Sequence, residues 1–243
     1  MSDPADAAPA SLDDAVFRPV RAGNSLEDTT ARLMQTIRLG VVAPGQALPS
    51  ERELAVRFSV SRDTVREAIR ELSDTGYLVP RRGRYGGTFV SDPLPEPPVA
   101  PAVPPTPAEL EDLIAFREIL ETGAARAAAA RTLDAEARSA LWTRLGEVAA
   151  APAADYRRLD SRLHLMIGEI AGVPSLVTVM ADNRSRLNEL LDSFPLLPRN
   201  IEHSNRQHEA IVLAILAGDE DAAVEATREH LAGSAALLRG FLS

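Results

Sequence analysis

The chain has 243 residues, of which 45% are hydrophobic, and it carries a formal net charge of −9. It contains no cysteine, which excludes disulfides and metal sites built on cysteine. No apolar run approaches the length that spans a membrane, and the acidic N-terminus lacks the order of a signal peptide. The sequence therefore predicts a cytoplasmic globular protein of about two domains with no membrane partner.

Composition divides the chain into four segments. Residues 1–20 are polar and alanine-rich, which predicts a disordered tail. Eight prolines crowd residues 93–107, which predicts an extended, semi-rigid linker. We therefore expect one folded domain over residues 21–92 and a second over residues 108–243.

Two short helices joined by a tight turn are predicted over residues 48–72. Ser50 and Glu53 form a capping-box pattern that begins the first helix. A turn follows, and Ser61 can cap a second helix whose apolar residues recur at helical spacing. The apolar register of residues 25–40 predicts a further helix that packs behind the second one.

The second helix of this pair has an arginine-bearing N-terminal turn, which suits the major groove of DNA. Arg62 and Arg66 are the candidates for reading bases, because the guanidinium fork can meet guanine O6 and N7 together. Ser61, Thr64 and the backbone amides at the helix start are candidates for holding phosphates. The other interpretation of these arginines is a solvated helix face.

A β-hairpin is predicted after the second helix. Residues 80–87 hold three glycines and three arginines, Arg84 among them, between two short apolar runs. Two helices followed by a basic hairpin form a winged helix-turn-helix, which favours a partner of double-stranded DNA. A winged helix that contacts only proteins is the alternative.

The negative net charge does not exclude a DNA partner, because the acidic residues lie mainly outside the winged region. Residues 48–90 hold eight arginines against six acidic residues, whereas residues 93–243 hold 14 arginines against 22. A single module of this modest charge makes few phosphate contacts, so a homodimer that doubles the basic footprint is expected.

From residue 108 onward the pattern is helical, with breaks near Thr132, Pro152, Gly172, 195–198 and Gly218. About six helices and no strand are predicted, which indicates an antiparallel all-helical bundle. The expected fold class is therefore mainly α, with a small hairpin wing in the N-terminal domain. We also expect Trp142 to lie in the core of the bundle.

Four residues of the second half could bind a metal ion: Asp160, His164, His208 and His230. The i, i+4 spacing places Asp160 and His164 on one helix face among apolar residues, where an isolated carboxylate or imidazole is costly to bury. One carboxylate and three imidazoles suit Zn²⁺, Mn²⁺, Ni²⁺ or Fe²⁺. The alternative is that each histidine only makes hydrogen bonds in the core or at the surface.

Three segments of the N-terminal half resemble the DNA-binding domain of GntR-type bacterial transcription regulators: Leu48-Pro-Ser-Glu-Arg-Glu-Leu-Ala, Ser61-Arg-Asp-Thr-Val-Arg-Glu-Ala-Ile-Arg-Glu-Leu and Gly83-Arg-Tyr-Gly-Gly-Thr-Phe-Val. The resemblance implies that Arg52, Arg62, Arg66 and Gly83 meet operator DNA. Tyr85 departs from the family pattern, which more often has a tighter glycine tip in the wing.

The C-terminal half resembles the ligand-binding bundle of the FadR-like branch of these regulators, through residues 113–131, 160–164 and 208–230. In metal-containing members an aspartate and three histidines hold the ion, and the resemblance maps them onto the four candidate ligands named above. It also implies a small carboxylate effector that Arg117 could bind, although Arg117 could instead form a salt bridge with Glu121. The one departure, Val173-Pro174, leaves the ligands intact.

These observations together predict a homodimeric, metabolite-responsive transcription repressor that releases its operator when the effector binds. One alternative is a metal-dependent enzyme of small carboxylates fused to a DNA-binding domain, since such a site could activate water. Another is a purely architectural DNA-binding protein, which would not respond to an effector.

Overall fold

The computed structural model describes residues 12–20, 24–83, 86–95, 105–192 and 196–242. They belong to two compact units: one spans residues 13–98, and the other contains the described residues beyond 98 together with Leu12. The helices and strands of these ranges are α1 (Leu12–Val16), α2 (Ser25–Arg38), α3 (Glu51–Phe58), α4 (Arg62–Asp74), β1 (Leu78–Arg81), β2 (Gly87–Val90), α5 (Pro107–Ala129), α6 (Ala135–Ala149), α7 (Ala153–Ala171), α8 (Pro174–Leu191), α9 (Pro198–Ala217) and α10 (Glu220–Leu242). None of the described helices is both long enough and apolar enough to cross a bilayer.

The first unit is a winged helix-turn-helix, which confirms the predicted fold. Helices α2, α3 and α4 enclose a core in which Leu33, Ile37, Leu54 and Phe58 are fully buried. Helix α2 packs against α4, as its apolar register predicts. This packing leaves the polar face of α4 toward solvent.

The turn between α3 and α4 depends on Ser59, which adopts the left-handed conformation at a φ of 57°. Its backbone N–H donates to the carbonyl of Val56, and the N–H of Val60 donates to that of Ala55. These bonds close the end of α3. The chain is then free to begin α4 at a new angle, as a helix-turn-helix requires.

Strands β1 and β2 pair antiparallel, with Leu78 opposite Val90 and Arg81 opposite Gly87. The hairpin is attached to the segment before α3, because Leu48 N–H donates to the carbonyl of Thr88 at 2.8 Å. The wing therefore has a fixed base beside the helix-turn-helix, while the tip residues 84 and 85 lie outside the described residues.

Residues 12–20 differ from the predicted disordered tail. Residues 12–16 form helix α1, and Phe17, which follows it, is 96% buried in the core of the first unit. The Phe17 ring packs against Phe58 at 5.7 Å between centroids. Apolar burial therefore outweighs the polar composition of this segment, whereas residues 1–11 lie outside the described residues.

The second unit contains the helices α5 to α10, which form the predicted all-helical bundle. Thr106 and Glu109 form a complete capping box that starts α5, at the end of the proline-rich segment. Gly172 and Gly218 end α7 and α9 in the left-handed conformation, each at a φ of 74°. The predicted breaks therefore coincide with helix ends. Of the predicted linker, residues 96–104 lie outside the described ones.

The prediction that Trp142 lies in the bundle core is wrong. Its side chain is 51% exposed, whereas the preceding residue, Leu141, is fully buried. Helix α6 buries only one stripe, which includes Leu141, Leu145 and Val148. One residue corresponds to a turn of about 100° around the helix axis, which carries Trp142 out of that stripe.

Candidate functional site

The N-terminus of α4 is the first candidate site. Ser61 caps this helix, since its hydroxyl accepts from the Thr64 N–H at 3.0 Å. The two hydroxyl oxygens lie 2.8 Å apart. Both residues therefore lie in the first turn, where exposed backbone amides and the helix dipole favour an anion such as phosphate.

Arg62 and Arg66 lie on the exposed side of α4, and their side chains are 60% and 57% accessible. The opposite side of the helix buries Val65, Ala68 and Ile69 in the unit's core. The buried apolar residues anchor α4 in the core of the unit. Both guanidinium groups are therefore presented to solvent, as major-groove reading requires.

Two acidic residues that the sequence did not single out lie beside these arginines. Arg66 donates to Asp63 at 2.9 Å and to Glu51 of α3 at 3.2 Å. Arg62 lies 3.8 Å from the same Glu51 carboxylate. The i, i+3 spacing of Asp63 and Arg66 could have indicated the first contact, whereas the second depends on the helix-turn-helix angle.

The other predicted DNA contacts are distributed around this surface. Arg52 is exposed in the first turn of α3, and Gly83 is exposed beyond β1 at a φ of 107°. Arg84 lies outside the described residues. Near the tip of the wing, the guanidinium of Arg81 stacks over Phe89 at 4.3 Å from the ring centroid.

The second candidate site lies inside the bundle, where the four predicted metal ligands converge. Asp160 and His164 come from α7, His208 from α9 and His230 from α10. One potential ligand atom from each residue lies within 4.8 Å of all the others. The three histidines are at least 96% buried, which excludes the interpretation of these residues as solvated surface groups.

The distances between the ligand atoms fit a shared cation. Asp160 Oδ1 lies 3.1 Å from His208 Nε2 and 3.7 Å from His164 Nε2, and the two ring nitrogens are 3.3 Å apart. Atoms bound to one metal at about 2.0–2.1 Å lie roughly 3.0–3.4 Å from one another. The other ring nitrogen of His208, the buried Nδ1, has no hydrogen-bond partner among the described residues.

The ionisation states also suit a cation. Burial lowers the pKa of His164, and burial together with the neighbouring histidines lowers that of His230 well below its ordinary value. Burial opposes ionisation of Asp160, but Arg184 and the histidines outweigh it and hold the pKa of this carboxyl well below its usual range. Neutral imidazoles and an ionised carboxylate are the forms that bind metal.

Polar side chains lie behind three of these ligands. Glu121 Oε2 lies 2.6 Å from His164 Nδ1, and Gln207 Oε1 lies 3.3 Å from His230 Nδ1. Arg184 donates to Oδ2 of Asp160, which leaves Oδ1 toward the histidines. Such partners fix the ring orientation and tautomer of metal-binding histidines.

Sequence reasoning missed Arg184 and Gln207 as parts of this site. A signal for Arg184 was present, because it occupies the inward stripe of α8 together with Val177, Met180 and Leu187. It is 1% exposed. A charged residue at an apolar position of a helix indicates a buried partner, although the spacing alone does not identify that partner.

Arg117 forms the salt bridge that the sequence left as one of two alternatives. Its Nε donates to Glu121 at 2.9 Å and its Nη1 to Ser234 at 2.7 Å, so the salt bridge with Glu121 is present. Arg117 also lines a cavity of about 250 Å³. Asp160, Arg184 and His230 border the same cavity, which therefore joins two guanidinium groups to the histidine cluster.

The fold and the two sites define a class of protein: a winged helix-turn-helix domain combined with a helical domain that encloses a polar cavity. Comparison with known families agrees. Residues 26–90 match the bacterial regulatory proteins of the gntR family, and residues 112–233 match the FCD domain. The chain belongs to the GntR family of DNA-binding transcription regulators and has an FCD domain.

Relatives of similar length support this assignment. The transcriptional repressor NanR of Cronobacter sakazakii is 30% identical over 227 residues, which cover 88% of this chain and 85% of NanR. A protein of Escherichia coli named for regulation of the L-lactate dehydrogenase operon is 28% identical, with coverages of 89% and 86%. These proteins are regulators of transcription. The family assignment therefore favours a regulator over the alternative of a metal-dependent enzyme fused to a DNA-binding domain.

The fold also resembles solved structures. E. coli McbR/YncC superposes with a TM-score of 0.57 at 18% identity, covering 92% of this chain and all of that one. A GntR regulator of Rhodococcus sp. RHA1 gives a TM-score of 0.52 at 18% identity, with coverages of 90% and 99%. At this level of identity the likeness concerns the fold alone.

Proposed function

We propose that this regulator is a repressor whose affinity for its operator falls when a small carboxylate binds beside a divalent metal in the bundle. The observation that carries the proposal is that candidate metal ligands and buried arginines line the same 250 Å³ cavity. Asp160 and His230 of the candidate ligand set line it together with Arg117 and Arg184. A carboxylate in this cavity would meet positive groups on more than one side.

In this proposal Asp160, His164, His208 and His230 hold the ion, and Zn²⁺, Mn²⁺, Ni²⁺ or Fe²⁺ all accept such a donor set. A bound ion would supply positive charge and an open position for a carboxylate oxygen. Arg184 keeps the Asp160 carboxylate turned toward the histidines. The chain thus organises the donors before any effector enters.

We assign Arg117 to the effector carboxylate. Its guanidinium is 5% exposed and is fixed by Glu121 and Ser234, so little side-chain freedom remains to be lost on binding. A planar guanidinium can bind a carboxylate through two parallel hydrogen bonds. Tyr156 and Asn188 also line the cavity and suit the hydroxyl groups of a hydroxy acid or sugar acid.

For the operator, we assign base reading to Arg62 and Arg66. Phosphate contacts are assigned to the remaining predicted residues, which are Arg52, Ser61, Thr64, Gly83 and Arg84. The support for this division is the exposure of both arginines on the face of α4 opposite its buried stripe. Hydrogen bonds to phosphate fix the position on the duplex, whereas arginine contacts to guanine specify the sequence.

We also propose that the protein acts as a homodimer on double-stranded DNA in the cytoplasm. Phe116 and Ile119 of α5 are 43% and 69% exposed, one helical turn apart, which is unusual for large apolar side chains on a monomer surface. Two winged domains would read two half-sites of a palindromic operator. Light scattering should give twice the chain mass, and Ile119→Glu should lower it.

The test uses an operator selected from random DNA and a panel of small hydroxy acids and sugar acids. L-lactate belongs in the panel because one relative is named for the L-lactate dehydrogenase operon. Fluorescence anisotropy of the labelled operator should fall when the active acid is added to metal-loaded protein. The same acid should release less DNA after the metal has been removed by a chelator. Equal release with and without metal would contradict the proposed role of the ion.

A further inference from the structure

Glu121 occupies a central position in the bundle, because three charged or titratable side chains from three helices meet at its carboxylate. It lies on α5 and is 3% exposed. Its neighbours are Arg117 of the same helix, His164 of α7 and Arg184 of α8. These partners include one candidate metal ligand and two of the three arginines that line the cavity.

The two oxygens of Glu121 serve different partners. Oε1 accepts from Arg117 Nε at 2.9 Å and from Arg184 Nη1 at 3.2 Å. Oε2 lies 2.6 Å from Nδ1 of His164. An ionised carboxylate has acceptor sites on both oxygens, so it can bind donors on both sides at once.

This arrangement selects one tautomer of His164. If Nδ1 carries the proton and donates it to Glu121, Nε2 keeps its lone pair. Nε2 is the ring nitrogen that lies 3.3 Å from His208 Nε2 and 3.7 Å from Asp160 Oδ1. Glu121 therefore turns the metal-binding nitrogen of His164 toward the other candidate ligands.

We propose that Glu121 is a positioning residue that serves the metal ligands and the effector arginine together. It holds His164 in the metal-binding tautomer through one oxygen and fixes Arg117 at the cavity wall through the other. The proposal rests on the proposed metal centre and effector site. It adds that a single carboxylate links the two, so that loss of this group weakens both.

Two guanidinium groups and one imidazole nitrogen lie within 3.2 Å of the Glu121 carboxylate. Glutamine cannot replace this group, because its amide accepts at one end and donates at the other. In a Glu121→Gln protein, either His164 or the arginine pair would face an N–H group.

The experiment compares zinc binding by the full-length wild-type protein and by Glu121→Gln, after chelator treatment of both. Zinc titration by calorimetry should show a dissociation constant about 10–100-fold higher for the variant, as is typical when the partner of a metal-binding histidine is removed. The matched control is Glu118→Gln, on the same helix. Glu118 is an exposed carboxylate that pairs with Arg228 at 3.3 Å, so zinc affinity should stay at the wild-type value.

A second variant is needed in case Glu121→Gln does not fold, because this substitution removes the negative charge beside two buried arginines. Arg117→Met with Glu121→Leu removes one positive and one negative charge and keeps side-chain volume, an exchange that proteins often tolerate. Circular dichroism would establish that it is folded. It should also bind zinc about 10–100-fold more weakly than the wild type, because His164 has lost its acceptor.

The outcomes separate this proposal from the one on which it rests. Wild-type protein that binds no zinc would overturn the metal centre and, with it, the role of Glu121. Wild-type protein that binds zinc, together with a folded Arg117→Met/Glu121→Leu variant of equal affinity, would overturn only the role of Glu121. A loss of affinity in the Glu121 variants but not in Glu118→Gln would support it.

Discussion

The guanidinium of Arg184 and the carboxylate of Asp160 form an ion pair between α8 and α7. Arg184 is 1% exposed, and its other terminal nitrogen binds Glu121 at 3.2 Å. The pair lies beside the other candidate metal ligands and borders the 250 Å³ cavity that we propose for the effector. It therefore contributes both to the stability of the bundle and to the orientation of Asp160.

Replacing Arg184 should destabilise the protein strongly. Arg184→Met would leave Asp160 and Glu121 buried with less positive charge, and breaking one side of a buried ion pair costs about 3–5 kcal/mol. Urea unfolding of the metal-free protein would measure the loss. As a control, Arg228→Met removes an exposed arginine that pairs with Glu118, and it should cost at most about 1 kcal/mol. Comparable losses for the two variants would contradict a special role of the buried pair.

The base-reading role of Arg66 predicts a selective loss. Arg66→Ala should weaken binding to the selected operator by about 1–3 kcal/mol and should change binding to random DNA much less. Anisotropy titrations with both DNAs at one salt concentration would measure the two effects. Arg70→Ala, which removes another exposed arginine of α4, should lower both affinities by similar factors. If Arg66→Ala behaves like Arg70→Ala, Arg66 does not read bases.

The proposed contact of Arg117 with the effector predicts a loss of response. A ligand changes DNA affinity only if it binds the DNA-competent and DNA-incompetent states differently, and this coupling is typically about 1–3 kcal/mol. Because Arg117→Ala also breaks a buried ion pair with Glu121, circular dichroism must first show that the variant is folded. In the folded variant the active acid should no longer release DNA, whereas operator affinity without the acid should remain at the wild-type value. Release at the wild-type effector concentration would leave Arg117 with only its structural contacts to Glu121 and Ser234.

The helix-turn-helix could be predicted from sequence because its signals are local. Ser50 and Ser61 cap their helices through the N–H groups of Glu53 and Thr64, as their spacing indicates. The predicted capping box at Ser50 is only half formed, since the Glu53 side chain binds Arg57 at 2.6 Å instead. That contact concerns an exposed side chain and leaves the helix boundary unchanged.

The surroundings of the bundle site could not be predicted in the same way. The i, i+4 spacing places Asp160 and His164 together, but the helix packing decides which residues lie behind them. Glu121 is 43 residues before His164 in the chain, and Arg184 is 24 residues after Asp160. The sequence suggested Glu121 only as a partner of Arg117. Its contact with His164 depends on the packing of α5 against α7.

The metal content of the purified protein tests the central claim most directly. Tag-free wild-type protein would be compared by elemental mass spectrometry with His208→Ala and with His203→Ala, which replaces a histidine of the same helix outside the ligand set. We predict about one divalent ion per chain in the wild type and in His203→Ala, and a clear loss in His208→Ala. Wild-type protein without a bound transition metal, or equal metal content in all three proteins, would contradict the proposed centre.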